Sequence, residues 1–365
     1  MAIKKVVIIG GGFAGINLAK HLADKNAFNV ILADKNNYNF FPPLLYQVAT
    51  GFLEASNISY PFRKMFQGKK NIRFRMGELL KVVPQENKVV LSSGDLEYDY
   101  LVLATGTKSN YFGLENVKAN AIPMKTVNDA LEMRNYLLQQ LENATITPDK
   151  AEREKLLTIV IAGGGPTGVE VSGMLAEMRK FIIRKDYPEF RGEKDRSHIY
   201  LIDGGDQLLS PMSLKSQKDT FNALSKLGVE IKLNIEVKDY VNDTVVLSNG
   251  EHIQTKTLIW AAGVSAKPIT GIPDASYGRG KRLLTDAFNK VQNTSNIYAV
   301  GDTCLQTNDP DFPQGHPQVA QVALQQGKNL AINFKKMAAQ QPLRPFRYRD
   351  KGTMAIIGRN KAVAD

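Results

Sequence analysis

The chain has 365 residues, of which 43% are hydrophobic and 23% charged, and its net charge is +11. This length predicts two or three domains, and the composition is typical of a folded globular protein rather than a disordered one. No run approaches the roughly eighteen consecutive apolar residues of a membrane-spanning helix. No signal-peptide pattern precedes the first strand-like run, so we expect a protein that stays in the cytoplasm.

The charge and the single cysteine narrow the possible functions. A basic surface favours anionic partners such as a lipid surface or nucleotide phosphates, although a solvated face of no special use explains it equally well. No nucleic-acid motif accompanies the charge, so we predict no nucleic-acid partner. Cys304 stands alone, which excludes an intramolecular disulfide and enzymes that cycle a thiol pair. No cluster of His, Cys or acidic residues has ligand spacing, so no metal site is predicted.

The first half of the chain begins with a strand–turn–helix–strand unit. Its strands are predicted over 4–9 and 28–33, with a helix over 15–25 between them. A hairpin-rich stretch follows over 71–103, and apolar residues at helical spacing predict a helix over 129–143.

A second strand–turn–helix unit follows a polar link over 144–155. Its strand is predicted over 156–162 and its helix over 169–184, and a charged loop over 184–197 comes next. Further strands are predicted over 199–202, 230–235, 244–247, 257–260, 296–300 and 354–357, with a long helix over 318–338. This alternation predicts an α/β fold with two Rossmann-like domains.

The first glycine turn matches the G-x-G-x-x-G pattern. It consists of Gly10, Gly11, Gly12, Phe13, Ala14 and Gly15. The first glycine permits a tight turn, the second lets the backbone approach a pyrophosphate, and the third lets helix and strand pack closely. The phosphates would lie at the helix N-terminus, where free N–H groups favour negative charge. Asp34 ends the next strand, where a carboxylate accepts hydrogen bonds from ribose hydroxyls; a surface aspartate that opens a turn is the alternative.

The same pattern occurs again in the second unit. This turn consists of Gly163, Gly164, Gly165, Pro166, Thr167 and Gly168. Its matching acid is Asp203. The spacing from the glycine turn to this acid is longer than the roughly twenty residues expected, because a basic insertion precedes the strand that Asp203 ends. A carboxylate there disfavours a 2′-phosphate, so we predict NADH over NADPH. Two such turns in one chain predict two bound dinucleotides.

Three further segments resemble flavoproteins that have two dinucleotide-binding domains. Residues 98–106 resemble the strand with Ala-Thr-Gly of that superfamily, residues 258–264 its counterpart in the NAD unit, and residues 296–302 the late FAD motif. Their signature residues are Ala104, Thr105 and Gly106, then Ala262 and Gly263, and finally Gly301 and Asp302. The resemblance implies that the aspartate of the last motif hydrogen-bonds the ribityl chain of FAD.

Two segments identify the subfamily. Residues 41–51 and 320–327 resemble type II NADH dehydrogenases, the single-subunit NADH:quinone oxidoreductases that do not pump protons. Residues 351–359 are similar to the start of that family's C-terminal region, which continues into amphipathic helices that rest on the membrane. The resemblance implies a peripheral protein on the cytoplasmic side of the cell membrane, and we expect its membrane-binding module to be truncated in this chain.

The resemblance also implies a discontinuous FAD domain into which the NAD domain is inserted. The predicted boundaries are 1–122 for the first part of the FAD domain, 123–275 for the NAD(H)-binding domain, 276–340 for the second part of the FAD domain, and 341–365 for the start of the C-terminal region.

The resemblance assigns further residues to FAD. Asp34 and Lys35, with the first glycine turn, should hold the pyrophosphate and adenosine, and Leu79 should offer backbone hydrogen bonds to the adenine. Ala320 and Gln321 should lie against the isoalloxazine. They begin the long helix, whose N-terminal dipole can stabilise negative charge on the reduced flavin.

Glu170 is the candidate catalytic residue. It lies in the first helical turn after the second glycine turn, and the resemblance implies a role in the NADH and quinone steps; an acid stabilised by the helix dipole is the alternative. Gln47, Gln321 and Gln325 are candidate hydrogen-bond donors to a quinone carbonyl, although amides also cap loops and cover helix faces. His316 is a candidate proton donor; the alternative is a loop histidine that is merely exposed to solvent.

The predicted reaction passes hydride from NADH to FAD and then two electrons to a membrane quinone. A sulfide:quinone or disulfide reductase on the same scaffold needs paired cysteines, which this chain lacks. A reductase that feeds an iron–sulfur or haem protein is disfavoured by residues 41–51 and 320–327. A redox-responsive NADH-binding flavoprotein without turnover stays open, as does a homodimer.

Overall fold

The computed structural model describes residues 3–190 and 197–365. The strands are β1 (Lys4–Ile9), β2 (Phe28–Asp34), β3 (Tyr38–Phe40), β4 (Ser59–Pro61), β5 (Ile72–Met76), β6 (Leu79–Val83), β7 (Lys88–Leu91), β8 (Gly94–Glu97), β9 (Tyr100–Leu103), β10 (Lys108–Ser109), β11 (Ile122–Pro123), β12 (Ile159–Ala162), β13 (Ile199–Ile202), β14 (Glu230–Lys232), β15 (Val237–Val241), β16 (Thr244–Leu247), β17 (His252–Gln254), β18 (Thr257–Trp260), β19 (Val264–Ser265), β20 (Leu283–Thr285), β21 (Ile297–Ala299), β22 (Cys304–Gln306), β23 (Met354–Ile357) and β24 (Lys361–Ala364). The α-helices are α1 (Phe13–Leu22), α2 (Leu45–Ala49), α3 (Ala55–Ile58), α4 (Phe62–Met65), α5 (Glu115–Asn120), α6 (Val127–Ile146), α7 (Lys150–Leu157), α8 (Pro166–Met178), α9 (Arg184–Asp186), α10 (Leu214–Lys226) and α11 (Ala320–Ala338).

The chain folds into two compact units. The first unit comprises Met1–Phe40, Ser59–Lys108 and Val264–Lys351, and the second comprises Phe41–Ile58, Ser109–Gly263 and Gly352–Asp365. This division follows packing, so it assigns residues 41–58 and 352–365 to the second unit. The sequence-based division into FAD and NAD domains stays a prediction.

The first unit is built on a parallel sheet with strand order β21-β9-β1-β2-β5. Successive residues of β1 face opposite sides of the sheet, and both sides are buried: Val6 and Ile8 pack with α1 and α11, while Val7 and Ile9 pack with the antiparallel sheet β6-β7-β8. A strand covered on both faces needs apolar residues throughout, which explains its continuous hydrophobic run. Ile9 pairs with Leu103, so the carboxyl ends of β1 and β9 meet at one edge.

The second unit repeats this plan with the parallel order β11-β18-β12-β13-β14. Val160 of β12 and Leu258 of β18 pack with Tyr240 and Val245 of the antiparallel sheet β15-β16-β17. Helix α8 packs against β13, and the hairpin β23–β24 packs against α8. None of the helices in the described part of the chain is both long enough and apolar enough to cross a membrane.

Some predicted elements have different bounds in the structure. The predicted polar link 144–155 is partly helical, because the Asp149 side chain caps α7 by accepting a hydrogen bond from the amide of Glu152, and β12 therefore starts only at Ile159. Helix α8 starts earlier than predicted, at Pro166, since proline suits the first helical position. Glu170, predicted in the first turn of this helix, therefore lies beyond it. The predicted loop over 184–197 includes the short helix α9 at its start, and its residues 191–196 lie outside the described residues.

Candidate nucleotide and quinone sites

At both ends of the first glycine turn there is room only for glycine. Gly10 has φ +108°, and a Cβ atom there would lie 2.2 Å from the carbonyl oxygen of Ala104. A Cβ atom on Gly15 would lie 1.9 Å from the carbonyl oxygen of Gly10. At Gly12, by contrast, nothing lies within 4 Å of that position. The N-terminus of α1, where Phe13 and Ala14 begin the helix, is therefore open beside Gly12, as a pyrophosphate requires.

Asp34, at the end of β2, stabilises this turn through hydrogen bonds. Its carboxylate oxygens accept hydrogen bonds from the amides of Gly11, at 2.6 Å, and Asn36, at 2.8 Å. Burial raises the pKa of Asp34, and the two amides oppose that rise. Each carboxylate oxygen can accept a second hydrogen bond, so ribose binding is still possible. Lys35 is exposed beside it, and Leu79 begins β6 as a half-buried residue.

The second glycine turn repeats this geometry. Gly163 has φ +114°, and a Cβ atom there would lie 2.5 Å from the carbonyl oxygen of Ala261. A Cβ atom on Gly168 would lie 1.8 Å from the carbonyl oxygen of Gly163, whereas nothing lies within 4 Å of the same position on Gly165. This turn thus leaves the N-terminus of α8 open in the same way.

Asp203 stabilises the second turn through hydrogen bonds, as Asp34 does the first. Its carboxylate accepts hydrogen bonds from the amide of Gly164, at 2.5 Å, and from that of Gly205, at 2.7 Å. Pro166 and Thr167 are exposed in the first turn of α8. The structure therefore contains two equivalent turns, each with an open glycine and an aspartate at the following strand end.

The Ala-Ala-Gly segment that follows β18 borders the second turn. Ala262 is exposed, and the carbonyl oxygen of Gly263 accepts a hydrogen bond from the amide of Asn110 at 3.0 Å. Phe112 approaches Gly263 so closely that a Cβ atom there would lie 2.9 Å from its ring. These residues line the carboxyl edge of the second parallel sheet, the edge at which ligands bind in such sheets.

The late motif and the Ala-Thr-Gly motif meet at the carboxyl edge of the first sheet. The Thr105 hydroxyl, just before Gly106 with its φ of +64°, lies 3.4 Å from the hydroxyl of Thr303. Gly301 has φ +73°, and its amide donates to Oε1 of Gln326 at 2.7 Å. Gln326 is buried on α11 and was not singled out in the sequence, where nothing distinguishes it from its neighbours. The half-buried Asp302 lies in this turn.

The start of α11 carries the other predicted flavin contacts. Ala320 begins the helix, and no side chain caps its N-terminus. Gln321 Oε1 accepts a hydrogen bond from the amide of Lys351 at 3.1 Å. Gln325 bonds to both main-chain groups of Arg349, at 2.8 and 3.1 Å. Gln325 therefore links α11 to the main chain of Arg349, and its contact with quinone stays a prediction.

Glu170, Tyr46 and Gln47 lie together in the second unit, where α2 packs against α8. The pKa of Glu170 is raised to about 7 by burial. A hydrogen bond from the amide of Ile356 partly opposes this rise. The Tyr46 hydroxyl accepts a hydrogen bond from Nε2 of Gln47 at 3.0 Å. Burial raises the pKa of Tyr46, and the charge of Glu170 adds to that rise. A carboxyl group that titrates near neutral pH is suited to exchange a proton. Tyr46 was not among the site residues predicted from the sequence.

His316 is buried rather than solvated, with a side chain only 1% exposed. Its Nε2 atom lies 2.9 Å from Oδ2 of Asp309, and its ring packs against Phe312, Phe346 and Tyr348. Burial lowers the pKa of His316, and Asp309 opposes that change. In the described part of the chain, no group of three or more His, Cys, Asp or Glu residues could hold a metal ion.

Comparison with known proteins assigns the chain to a family. Residues 4–327 match the family of pyridine nucleotide-disulphide oxidoreductases. The type II NADH:quinone oxidoreductase NdhA of Mycobacterium tuberculosis is 34% identical, over 99% of this chain and 78% of its own length. Ndh of the same bacterium is 32% identical, over 99% and 79%. The chain belongs to the type II NADH:quinone oxidoreductases. The family predicted from the sequence is therefore confirmed, and membership implies a flavin and NADH.

Solved structures of this family and its relatives have the same fold. NDH2 from Plasmodium falciparum, in complex with NADH, superimposes with a TM-score of 0.91 at 22% identity, over 100% of this chain and 90% of its own. The sulfide:quinone oxidoreductase of Aquifex aeolicus has a TM-score of 0.77 at 21% identity, over 99% and 86%. The predicted α/β fold with Rossmann-like domains is confirmed. Within these 365 residues Cys304 has no second cysteine with which to form a thiol pair.

Proposed function

We propose that this chain is an FAD-dependent NADH:quinone oxidoreductase, which transfers hydride from NADH to its flavin and two electrons on to a membrane quinone without pumping protons. The observation that carries the proposal is the pair of equivalent glycine turns, each with an open glycine and a fastening aspartate on its own parallel sheet. Relatives named for NADH and quinone supply the donor and the acceptor.

The first unit suits FAD. An open Gly12 at the start of α1 leaves room for a pyrophosphate, and Asp34 retains acceptor capacity for a ribose. Bound there, FAD would supply the redox chemistry, while the protein binds and orients it. Asp302 would bind the ribityl chain, and the uncapped N-terminus of α11 at Ala320 would favour negative charge near the ring.

The second unit suits NADH rather than NADPH. Gly165 is open at the start of α8, as Gly12 is at α1. Asp203 already accepts two main-chain hydrogen bonds, and its remaining lone pairs would accept ribose hydroxyls. A 2′-phosphate would meet this carboxylate with like charge, which is unfavourable.

The cluster of Glu170, Tyr46 and Gln47 would serve the quinone step. Gln47 uses one amide hydrogen on Tyr46, and its second amide hydrogen can bind a quinone carbonyl. Reduction of a quinone to a quinol consumes two protons. Glu170, whose pKa lies at about 7, would hold and release a proton there at neutral pH.

We infer a peripheral position on the cytoplasmic face of the membrane. The net charge of +11 would attract the chain to anionic headgroups, whose potential favours lysine and arginine near the surface.

Anaerobic titration of the purified protein tests the proposal. We expect the protein to bind FAD, NADH to bleach its flavin absorbance, and a soluble short-chain quinone to restore it, with continuous turnover when both are in excess. A protein that is reduced once and then stalls would be a redox-responsive binding protein instead. Protein that is colourless, and that cannot be reconstituted with FAD, would contradict the proposal altogether.

A further inference from the structure

Arg282 is a buried arginine in the first unit, directly before β20. It is 6% exposed, and its guanidinium donates to the carbonyl oxygen of Cys304 and, at 3.3 Å, to that of His316. Among the described residues, no carboxylate contacts it directly, although the charge of Asp302 acts on it from a distance. Burying a charge that only neutral carbonyl groups bind is costly, so this position calls for an explanation.

Arg282 joins two segments that are far apart in sequence. Cys304 begins β22 immediately after the turn that contains Asp302, and His316 lies shortly before Ala320, where α11 begins. The amide of Gln318 adds a second link, since its Nε2 atom donates to the carbonyl oxygen of Asp302 at 3.1 Å. The turn and the helix start are therefore held together from two sides.

The side chain of His316 is itself held in place by neighbouring residues, which fixes the position of its carbonyl group. The His316 ring lies 2.9 Å from the carboxylate of Asp309, which also accepts hydrogen bonds from the amide of Tyr348, at 2.9 Å, and from Arg347, at 3.2 Å. Phe346 packs edge-on against the same ring. A shorter or neutral side chain at position 282 could not recover its contacts by a local shift of this segment.

We propose that Arg282 is a positioning residue for the flavin, which aligns the turn at Asp302 with the start of α11 and adds positive charge that favours the reduced, anionic flavin. This inference rests on the proposed function, because Asp302, Ala320 and Gln321 are proposed flavin contacts. In a buried site a positive charge acts over several ångströms, since little water screens it. The dipole of α11 acts in the same direction.

The test compares Arg282→Gln and Arg282→Lys with the control Arg279→Gln, which removes a charge from an exposed position nearby. The midpoint potential of the bound flavin and the rate of FAD release are measured for each. For Arg282→Gln we expect reduction to become roughly tenfold less favourable, a fall of about 30 mV for a two-electron couple. Arg282→Lys keeps the charge but not the two-carbonyl contact, so its potential should stay near wild type while FAD leaves several-fold faster. Arg279→Gln should match wild type in both.

Any other result overturns one part of the proposal, as follows. A wild-type potential in folded Arg282→Gln overturns the electrostatic role, because a merely structural loss weakens both redox forms equally. If Arg282→Gln does not fold, Arg282→Lys decides, and wild-type FAD release from it overturns the positioning role. A wild-type protein without flavin would contradict the proposed function instead, whereas a flavin-loaded wild type with unshifted variants would contradict this inference alone.

Discussion

At the scale of single residues, the two aspartates show how one side chain can serve structure and recognition together. Asp34 and Asp203 were predictable as strand-end acids that face a ribose. Their hydrogen bonds to the amides of Gly11 and Gly164 were not, because they depend on how closely each turn approaches the next strand. Substitution of either aspartate therefore loosens a turn as well as removing a charge, and a matched pair of variants separates these effects.

Asp203→Asn should weaken the preference for NADH over NADPH. The variant removes the charge that repels a 2′-phosphate, and its single amide oxygen can replace only one of the two main-chain hydrogen bonds. Asp34→Asn is the matched control, since it disturbs the first turn in the same way but should leave the NADH/NADPH ratio of kcat/KM unchanged. An unchanged ratio in Asp203→Asn would refute its role in discrimination.

Glu170→Gln should retain FAD yet slow the oxidation of NADH by quinone at least about tenfold, the scale of general acid–base contributions. Gln keeps the size and polarity of the side chain but cannot carry the proton. Steady-state rates with a soluble quinone measure the effect, and Glu177→Gln on the same helix serves as the control. Wild-type rates would contradict a catalytic role for Glu170.

The pH dependence of stability tests the burial of Glu170 independently of turnover. Its pKa is raised to about 7 in the folded protein, above the ordinary value of 4.5, so burial disfavours the ionised form. The stability cost is absent below pH 4.5 and complete above pH 7. The Tm of Glu170→Gln relative to wild type should therefore be higher at pH 8 than at pH 5. An equal difference at both pH values would show that the carboxyl group is not desolvated.

At the scale of elements, the glycine turns were the most predictable parts and α7 and α10 the least. Gly10 and Gly163 require positive φ, which glycine alone adopts freely, so local sequence determines the turn. Helix α10 has a capping serine at position 213 but was missed, because its polar face dominates the pattern. The hairpin β23–β24 lies so close to α8 that a Cβ atom on Gly173 would be 2.6 Å from the amide of Gly358, and no local signal predicts this.

Gly12→Val and Gly165→Val form a matched pair that tests the two turns. Both glycines have extended backbone that any residue can adopt, and nothing lies within 4 Å of either Cβ position. The valine side chain should therefore fill only the space proposed for phosphate. We expect Gly12→Val to lose FAD, and Gly165→Val to keep FAD but raise the KM for NADH at least about tenfold. Both should melt within a few degrees of wild type, and retention of FAD by Gly12→Val would contradict the assignment.

At the scale of the whole molecule, net charge governs the encounter with a membrane. With a charge of +11, the chain should bind vesicles that contain anionic lipid at low salt and release them at about 0.5 M salt, where charges are screened over a few ångströms. Vesicles of neutral phosphatidylcholine are the control and should bind weakly throughout. Sedimentation of the vesicles measures the bound fraction. Tight binding that salt does not weaken would show that apolar contacts, not charge, hold the chain.

The amino-acid sequence by itself determined the two glycine turns, the strands before them, the aspartates after them and the family, because each depends on neighbouring residues and short-range periodicity. Only the tertiary structure decided that Glu170 lies with Tyr46 and Gln47 and that His316 is buried. It also decided that the Gln325 side chain hydrogen-bonds the main chain of Arg349. Those contacts join segments distant in sequence, and they arise from side-chain packing, which local patterns do not encode.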